Sequence, residues 1–188
     1  KEVVLTGTQL GSYGFDIPGT SLKKLLERIL IETSVLRLRV SSLQPQEITP
    51  DLLDLWANPR LCRHFHVPLQ SGSVEVLRRM KRRYIPAQYE RQVEQIRTMV
   101  PEVGITTDVI VGFPGESDHA FEETYQLCRR SGFSKIHVFP YSARPGTTAA
   151  HFSDQIEKQV KEERVEQLLD LSTEHGKQFR HGLVGSRQ

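Results

Sequence analysis

Apolar residues recur along this chain in two alternating rhythms. Runs of period two, rich in β-branched residues, predict short strands over residues 2–7, 36–42, 64–69, 105–111 and 134–140. Between them, apolar positions three and four apart predict helices. Leu22, Leu25, Leu26, Ile29 and Leu30 form one stripe after Ser21, and Val160, Val165, Leu168, Leu169 and Leu171 form another along a final helix over 154–180. Shorter helices are expected over 50–57, 74–80 and 86–100. Ser117 or Asp118 is placed to cap one more, carrying Ala120, Phe121, Tyr125, Leu127 and Cys128.

Strand and helix thus alternate five times in units of roughly 30 to 40 residues, the size of a βαβ repeat in a parallel sheet. Each polar, glycine-rich loop follows a strand and precedes a helix. All of these loops therefore gather at the C-terminal ends of the strands, where parallel α/β folds bind ligands. Strand parity adds a constraint. Leu36, Leu38 and Val40 alternate with Arg37, Arg39 and Ser41; Phe65 and Val67 alternate with His64 and His66; Thr107, Val109 and Val111 alternate with Thr106, Asp108 and Ile110. A doubly wound sheet, covered on both faces, needs nearly continuous apolar strands. One apolar face and one polar face instead predict a curved sheet with a wet or ligand-filled interior. Because buried charges must be paired, Arg37, Arg39 and Asp108 are also expected to neutralise one another there.

The stretch 104–116, GITTDVIVGFPGE, organises the rest: a buried strand, a turn stopped by Gly112, Pro114 and Gly115, then a helix start. Gly7, Gly11 and Gly14 lack dinucleotide spacing, so a Rossmann phosphate loop is not supported. With 188 residues and 37% hydrophobic content the chain can bury an ordinary core, and its length suits one domain. It contains no apolar run long enough to span a membrane and no signal-peptide pattern, so a soluble, cytoplasmic protein is expected. Two isolated cysteines, Cys62 and Cys128, exclude a disulfide scaffold and a zinc ribbon. A net charge of +2 does not by itself point to nucleic acid. The run Arg78, Arg79, Lys81, Arg82, Arg83 with Tyr84 does so locally, against a plainer reading as a solvated helix end. The chain opens on Lys1 and passes directly into a strand, which suggests a piece of a longer protein.

Five segments in this order, TGTQLGSYG, RLRVSSLQPQE, HFHVPLQSGS followed by LRRMKRRY, TTDVIVGFPGE and HVFPYSARPGT, closely resemble the radical S-adenosylmethionine (SAM) methylthiotransferases that modify tRNA. The resemblance covers nearly the whole chain. GSYG and SSLQPQE look most like the branch acting on N6-threonylcarbamoyladenosine beside the anticodon. The resemblance implies an α/β fold, a partial (β/α)6 radical-SAM barrel over 1–188 that lacks its first strand and has five parallel strands with outer helices. It further implies a transferase using SAM and [4Fe-4S] clusters, with tRNA as partner, that adds sulfur and then methyl at C2 of the modified adenine. Such clusters are held by cysteine thiolates, and the family's CxxxCxxC loop is not in this sequence. The chain alone is therefore expected to bind no cluster and to be inactive. On this resemblance the N-terminal cluster domain is expected to lie outside the 188 residues, and a C-terminal RNA-binding domain would begin near GLVGSRQ.

The same resemblance implies that Thr6 and Gly7 meet the methionyl amine of SAM, and that Ser42 and Gln70 meet its ribose and carboxylate. Asp108 and the backbone of Val111 and Gly112 would line its adenine and ribose. Arg79, Arg82 and Arg83 would contact the tRNA backbone, and Tyr141 and Arg144 the substrate nucleoside. No catalytic side chain and no metal ligand is assigned. For Gly112, Gly115 and Gly146 the plainer reading is a sharp turn. Two other functions compete: a metal-dependent hydrolase using His64, His66, His137 and Asp108, and a non-catalytic module binding RNA or a partner. An open sheet edge over 2–7 also predicts self-association.

Overall fold

The computed structural model describes residues 1–186, so Arg187 and Gln188 of the closing GLVGSRQ lie outside the described residues. In chain order the regular elements are β1 (Glu2–Leu5), α1 (Leu22–Glu32), β2 (Arg37–Val40), α2 (Pro50–Leu53), β3 (His64–His66), α3 (Val74–Arg79), α4 (Pro86–Met99), β4 (Gly104–Val111), α5 (Asp118–Ser131), β5 (Lys135–Pro140) and α6 (Lys158–Gly182). The five strands fall where the period-two runs place them, most of them shorter than expected. The helix expected over 50–57 becomes one α turn followed by a 3-10 turn at Asp54–Ala57. The chain forms two compact units, 1–68 with 91–105, and 69–90 with 106 onward. Among the described residues no helix is long and apolar enough to cross a membrane.

In the first unit β1 and β2 pair in parallel, Glu2 opposite Arg37 and Val4 opposite Arg39. The β2 ladder holds Leu38 and Val40 in the core, but Leu36 lies one residue before it and is 68% exposed. The arginines of β2 are neutralised from β1: Glu2 accepts from Arg37 Nε at 3.1 Å and from Arg39 Nε at 2.7 Å. The expectation pairs these arginines with Asp108 and leaves Glu2 out, because the sequence pattern ranks faces of strands without showing which strands adjoin. Further along, Trp56 stacks on Phe65 with centroids 4.4 Å apart and donates its Nε1–H to the Cys62 carbonyl at 2.8 Å. Ser21 caps α1 by accepting from the Lys24 amide. At the other end Arg60 donates to the carbonyls of Leu30, Thr33 and Val35. One long-range side chain thereby satisfies acceptors that a helix end leaves open.

The second unit is built on β4 from Thr106 onward, in parallel register with β5: Thr106 opposite Lys135, Asp108 opposite His137, Val111 opposite Pro140. The expected alternation is present, with Thr107, Val109 and Val111 buried and Thr106, Asp108 and Ile110 half-buried. Its core gathers Tyr89, Val109, Leu127, Cys128, Phe133, Ile136 and Leu168, all essentially inaccessible. Ser117 caps α5 by accepting from the Ala120 amide at 3.1 Å, and Gly132 ends it in the left-handed conformation. Ser172 of α6 accepts from the Ile136 amide of β5 at 2.9 Å.

Arg39 first, and Arg37 with it, hold the Glu2 carboxyl down from its ordinary 4.5 to about 2. The unfolded chain binds this proton at a higher pH than the folded one. The contribution of Glu2 is therefore present above about pH 4.5 and is lost as the pH falls toward 2. Glu2→Gln should flatten the acid limb of the urea-unfolding midpoint against pH; an unchanged limb would show that the pair does not control it.

Candidate functional site

The site begins with the turn that ends β4. Gly112 sits at φ 68° and donates its amide to Glu116 Oε2 at 2.6 Å. Glu116 is fully buried. Arg164, reaching from α6, donates to the same oxygen at 2.8 Å, to the Glu116 carbonyl at 3.1 Å and to Asp118 Oδ1 at 2.7 Å. Burial pushes the Glu116 carboxyl above its ordinary value, and the Gly112 amide and the Arg164 guanidinium offset only part of that rise. The far side of the turn is fixed as firmly. The Gly115 amide donates to the Asp154 carbonyl at 2.8 Å, while the Asp154 carboxylate holds Arg79, whose guanidinium lies 4.9 Å from the Phe152 ring centre. Gly115 has φ 79°, a conformation that favours glycine, and a Cβ there would also come within 2.6 Å of Arg79 Nη1.

Beside this turn the second unit encloses a cavity of about 550 Å³, lined in part by Gln70, Asp108, Ile110, Phe113, Tyr141 and Arg144. Its walls are mostly aliphatic and aromatic, with a few polar groups converging on it, and its size is that of a small-molecule site. Gln70 is the unusual member. It is 8% exposed and has φ 64°, a conformation that a non-glycine residue rarely holds. Two backbone bonds impose it: the Gln70 amide donates to the Asp108 carbonyl at 2.8 Å, and its own carbonyl accepts from the Ile110 amide at 2.9 Å. Strain of this kind, on the order of 1–3 kcal/mol, persists where the surroundings over-determine it and clusters at ligand sites.

Four of the residues singled out from sequence, Gln70, Asp108, Tyr141 and Arg144, line this one cavity. Val111 is buried and accepts the Tyr141 amide at 2.8 Å, with Gly112 next in the turn. Thr6, Gly7 and Ser42 belong to the first unit. Thr6 and Gly7 are exposed just beyond β1, and Ser42 forms a parallel bridge with His66. The basic run divides. Arg83 is exposed and Arg82 half-buried, whereas Arg79 is engaged by Asp154 and Phe152. Tyr84 is not a surface aromatic: it is buried and donates its hydroxyl to the Leu69 carbonyl at 2.9 Å. Phe113, Glu116 and Arg164 were not picked out in the sequence. Glu116 could have been, since an acid closing a glycine turn is well placed to accept its open amides. Nothing local marks Arg164 among the charges of α6.

The cysteines do not fit an iron–sulfur cluster. Burial pushes the Cys128 thiol up to about 12 and raises that of Cys62, the opposite of the thiolate character that ligation requires.

The family model described as the Radical SAM superfamily matches residues 4–128. The chain belongs to the radical SAM superfamily. This radical SAM chain is 40% identical over 181 residues to the threonylcarbamoyladenosine tRNA methylthiotransferase MtaB of Bacillus subtilis, covering 95% of the chain and 40% of that protein. It is 39% identical over 176 residues to the tRNA-2-methylthio-N(6)-dimethylallyladenosine synthase of Caldicellulosiruptor saccharolyticus, covering 93% of the chain and 37% of that protein. It therefore spans about two fifths of the length of these curated relatives. Its fold is similar to that of the Escherichia coli coproporphyrinogen III oxidase HemN, a radical SAM enzyme, with a TM-score of 0.64 at 19% identity over 81% of this chain and 36% of that one. Superfamily membership sets aside the metal-dependent hydrolase reading.

The strain at Gln70 yields a stability test. Gln70→Gly should leave the urea-unfolding free energy unchanged or raise it by up to ~1 kcal/mol, because glycine accepts positive φ. Gln70→Val should lose about 2 kcal/mol or more, since a branched Cβ does not. Equal values for the two variants would contradict the strained backbone.

Proposed function

We propose that this chain is the SAM-binding part of a tRNA methylthiotransferase that places a methylthio group at C2 of N6-threonylcarbamoyladenosine, working in the cytoplasm. The observation that carries the reading is the convergence of Gln70, Asp108, Tyr141 and Arg144 on one cavity in a radical SAM chain. SAM presents an adenine edge, two ribose hydroxyls, a carboxylate and an ammonium. An apolar wall with few polar groups suits that mixture. In this reading Gln70 meets the ribose and carboxylate, and Asp108 with the backbone of Val111 and Gly112 lines the adenine and ribose. Arg82 and Arg83 contact tRNA phosphates, with Tyr141 and Arg144 against the substrate nucleoside.

The threonylcarbamoyladenosine branch rests on the loop sequences GSYG and SSLQPQE, because identities of 40% and 39% do not separate it from the dimethylallyladenosine branch. The [4Fe-4S] clusters of the family have no ligands among this chain's two buried cysteines, so no reaction step is assigned to residues of this chain and the chain alone is inactive. β1 pairs on one side only among the described residues and exposes Val3 and Val4, which supports self-association along that edge.

Two measurements test this. Calorimetric titration with S-adenosylhomocysteine, which needs no electron transfer, should show micromolar binding that Asp108→Ala weakens at least about tenfold, a change of ~1.4 kcal/mol. Absence of binding to the wild-type chain sinks the assignment of the cavity to SAM, and salt-dependent tRNA binding alone would then favour a non-catalytic RNA-binding module. Iron and sulfide assayed after anaerobic reconstitution should stay far below stoichiometric; a full cluster per chain would refute inactivity for want of thiolates.

A further inference from the structure

Arg164 and Lys161 lie three residues apart on α6, so both reach from the same face of the helix. Arg164 is spent on Glu116. Lys161 is half-buried and does something else. Its stem fills the space above Gly112, where a Cβ would lie 2.3 Å from Lys161 Cγ and 3.0 Å from Cδ. Its ammonium then continues to the Tyr141 carbonyl at 3.3 Å and stands 5.5 Å from the Tyr141 ring centre. The Tyr141 amide is already held by the Val111 carbonyl, and its ring meets Phe113 edge-on with centroids 5.1 Å apart. One lysine therefore touches the turn after β4 through its stem and the loop after β5 through its charge. Phe113 and Tyr141, the residues it ties together, both line the cavity.

We propose that Lys161 is a positioning residue for this cavity: it locks the loop after β5 to the turn after β4, fixing the aromatic pair Phe113 and Tyr141 that walls the cavity assigned to SAM. The clause about SAM rests on the function proposed above; the lock itself does not. Gly112 is then constrained twice, by its positive φ and by the lysine stem that needs its missing side chain. The charge is as necessary as the stem, since only a cation can hold both the carbonyl and the ring face of Tyr141.

Three versions of the chain separate these roles: wild type, Lys161→Met, which keeps an unbranched apolar stem, and Lys161→Arg, which keeps the cation. Amide hydrogen exchange without any added ligand reads the lock directly. Lys161→Met should speed exchange of the Tyr141 amide, and of the Thr147 amide bonded to the Arg144 carbonyl, by about tenfold. The Gly115 amide, held by Asp154, should be unchanged, and Lys161→Arg should restore wild-type exchange. Titration with S-adenosylhomocysteine should then show roughly tenfold weaker binding for the Met variant and near wild-type binding for Arg. Unaltered exchange in the Met variant overturns the lock. Exchange accelerated equally in both variants and at Gly115 overturns it as well, by reducing Lys161 to packing. Altered exchange with equal binding by all three chains overturns the role toward SAM. If the wild-type chain fails to bind, the SAM assignment falls while exchange still decides the lock.

Discussion

The second unit hangs on a buried ion pair. Arg164 and Glu116 are 4% and 0% exposed and meet at 2.8 Å, with Asp118 and the Gly112 amide as their further polar partners. Such a pair contributes little net stability against a well-packed apolar alternative, yet losing one partner strands a charge and costs about 3–5 kcal/mol. Its value here is geometric. The Glu116 carboxylate collects the first amide of the turn while Arg164 collects the last carbonyl, so the path from β4 into α5 is set by one side-chain contact with the final helix. Phe113 projects from the middle of that path, and the position of a cavity wall is thereby inherited from α6.

That dependence explains what could and could not be read from the residues in order. The strands, the caps at Ser21 and Ser117, and the alternating faces of β4 are products of local spacing, and they were legible. Tyr141 and Arg144 were legible because they follow a strand, which is where a parallel fold puts its ligands, whereas Gln70 and Asp108, the latter inside β4, were named through the family resemblance. Glu2 as partner of Arg37 and Arg39 was not, since it lies 35 and 37 residues away and only strand adjacency brings it there. Arg164 was hidden by its company, one charge among many along α6, with nothing in the local pattern to show that it turns inward. Tyr84 failed for the converse reason. It stands among cations in the sequence, but its ring belongs to the core and its hydroxyl to Leu69.

Relatives about 40% identical to this chain over the stretch that aligns, two fifths of their own length, carry different modified adenosines in their names. The parts the geometry explains best, the β4 turn and the cavity beside it, serve a group common to all of them in the proposed reading.

Arg60 carries a consequence of another kind. Helices usually finish through neighbours a few residues away, and α1 does so at Thr33, which donates to the Ile29 carbonyl, but it adds a guanidinium 25 to 30 residues downstream. The Leu30 and Thr33 carbonyls meet that donor only because the chain passes through β2 and folds back. The two ends of this one helix thus draw on different ranges of the sequence: Ser21 caps its start from the next residue, and Arg60 reaches its end from the far side of a strand.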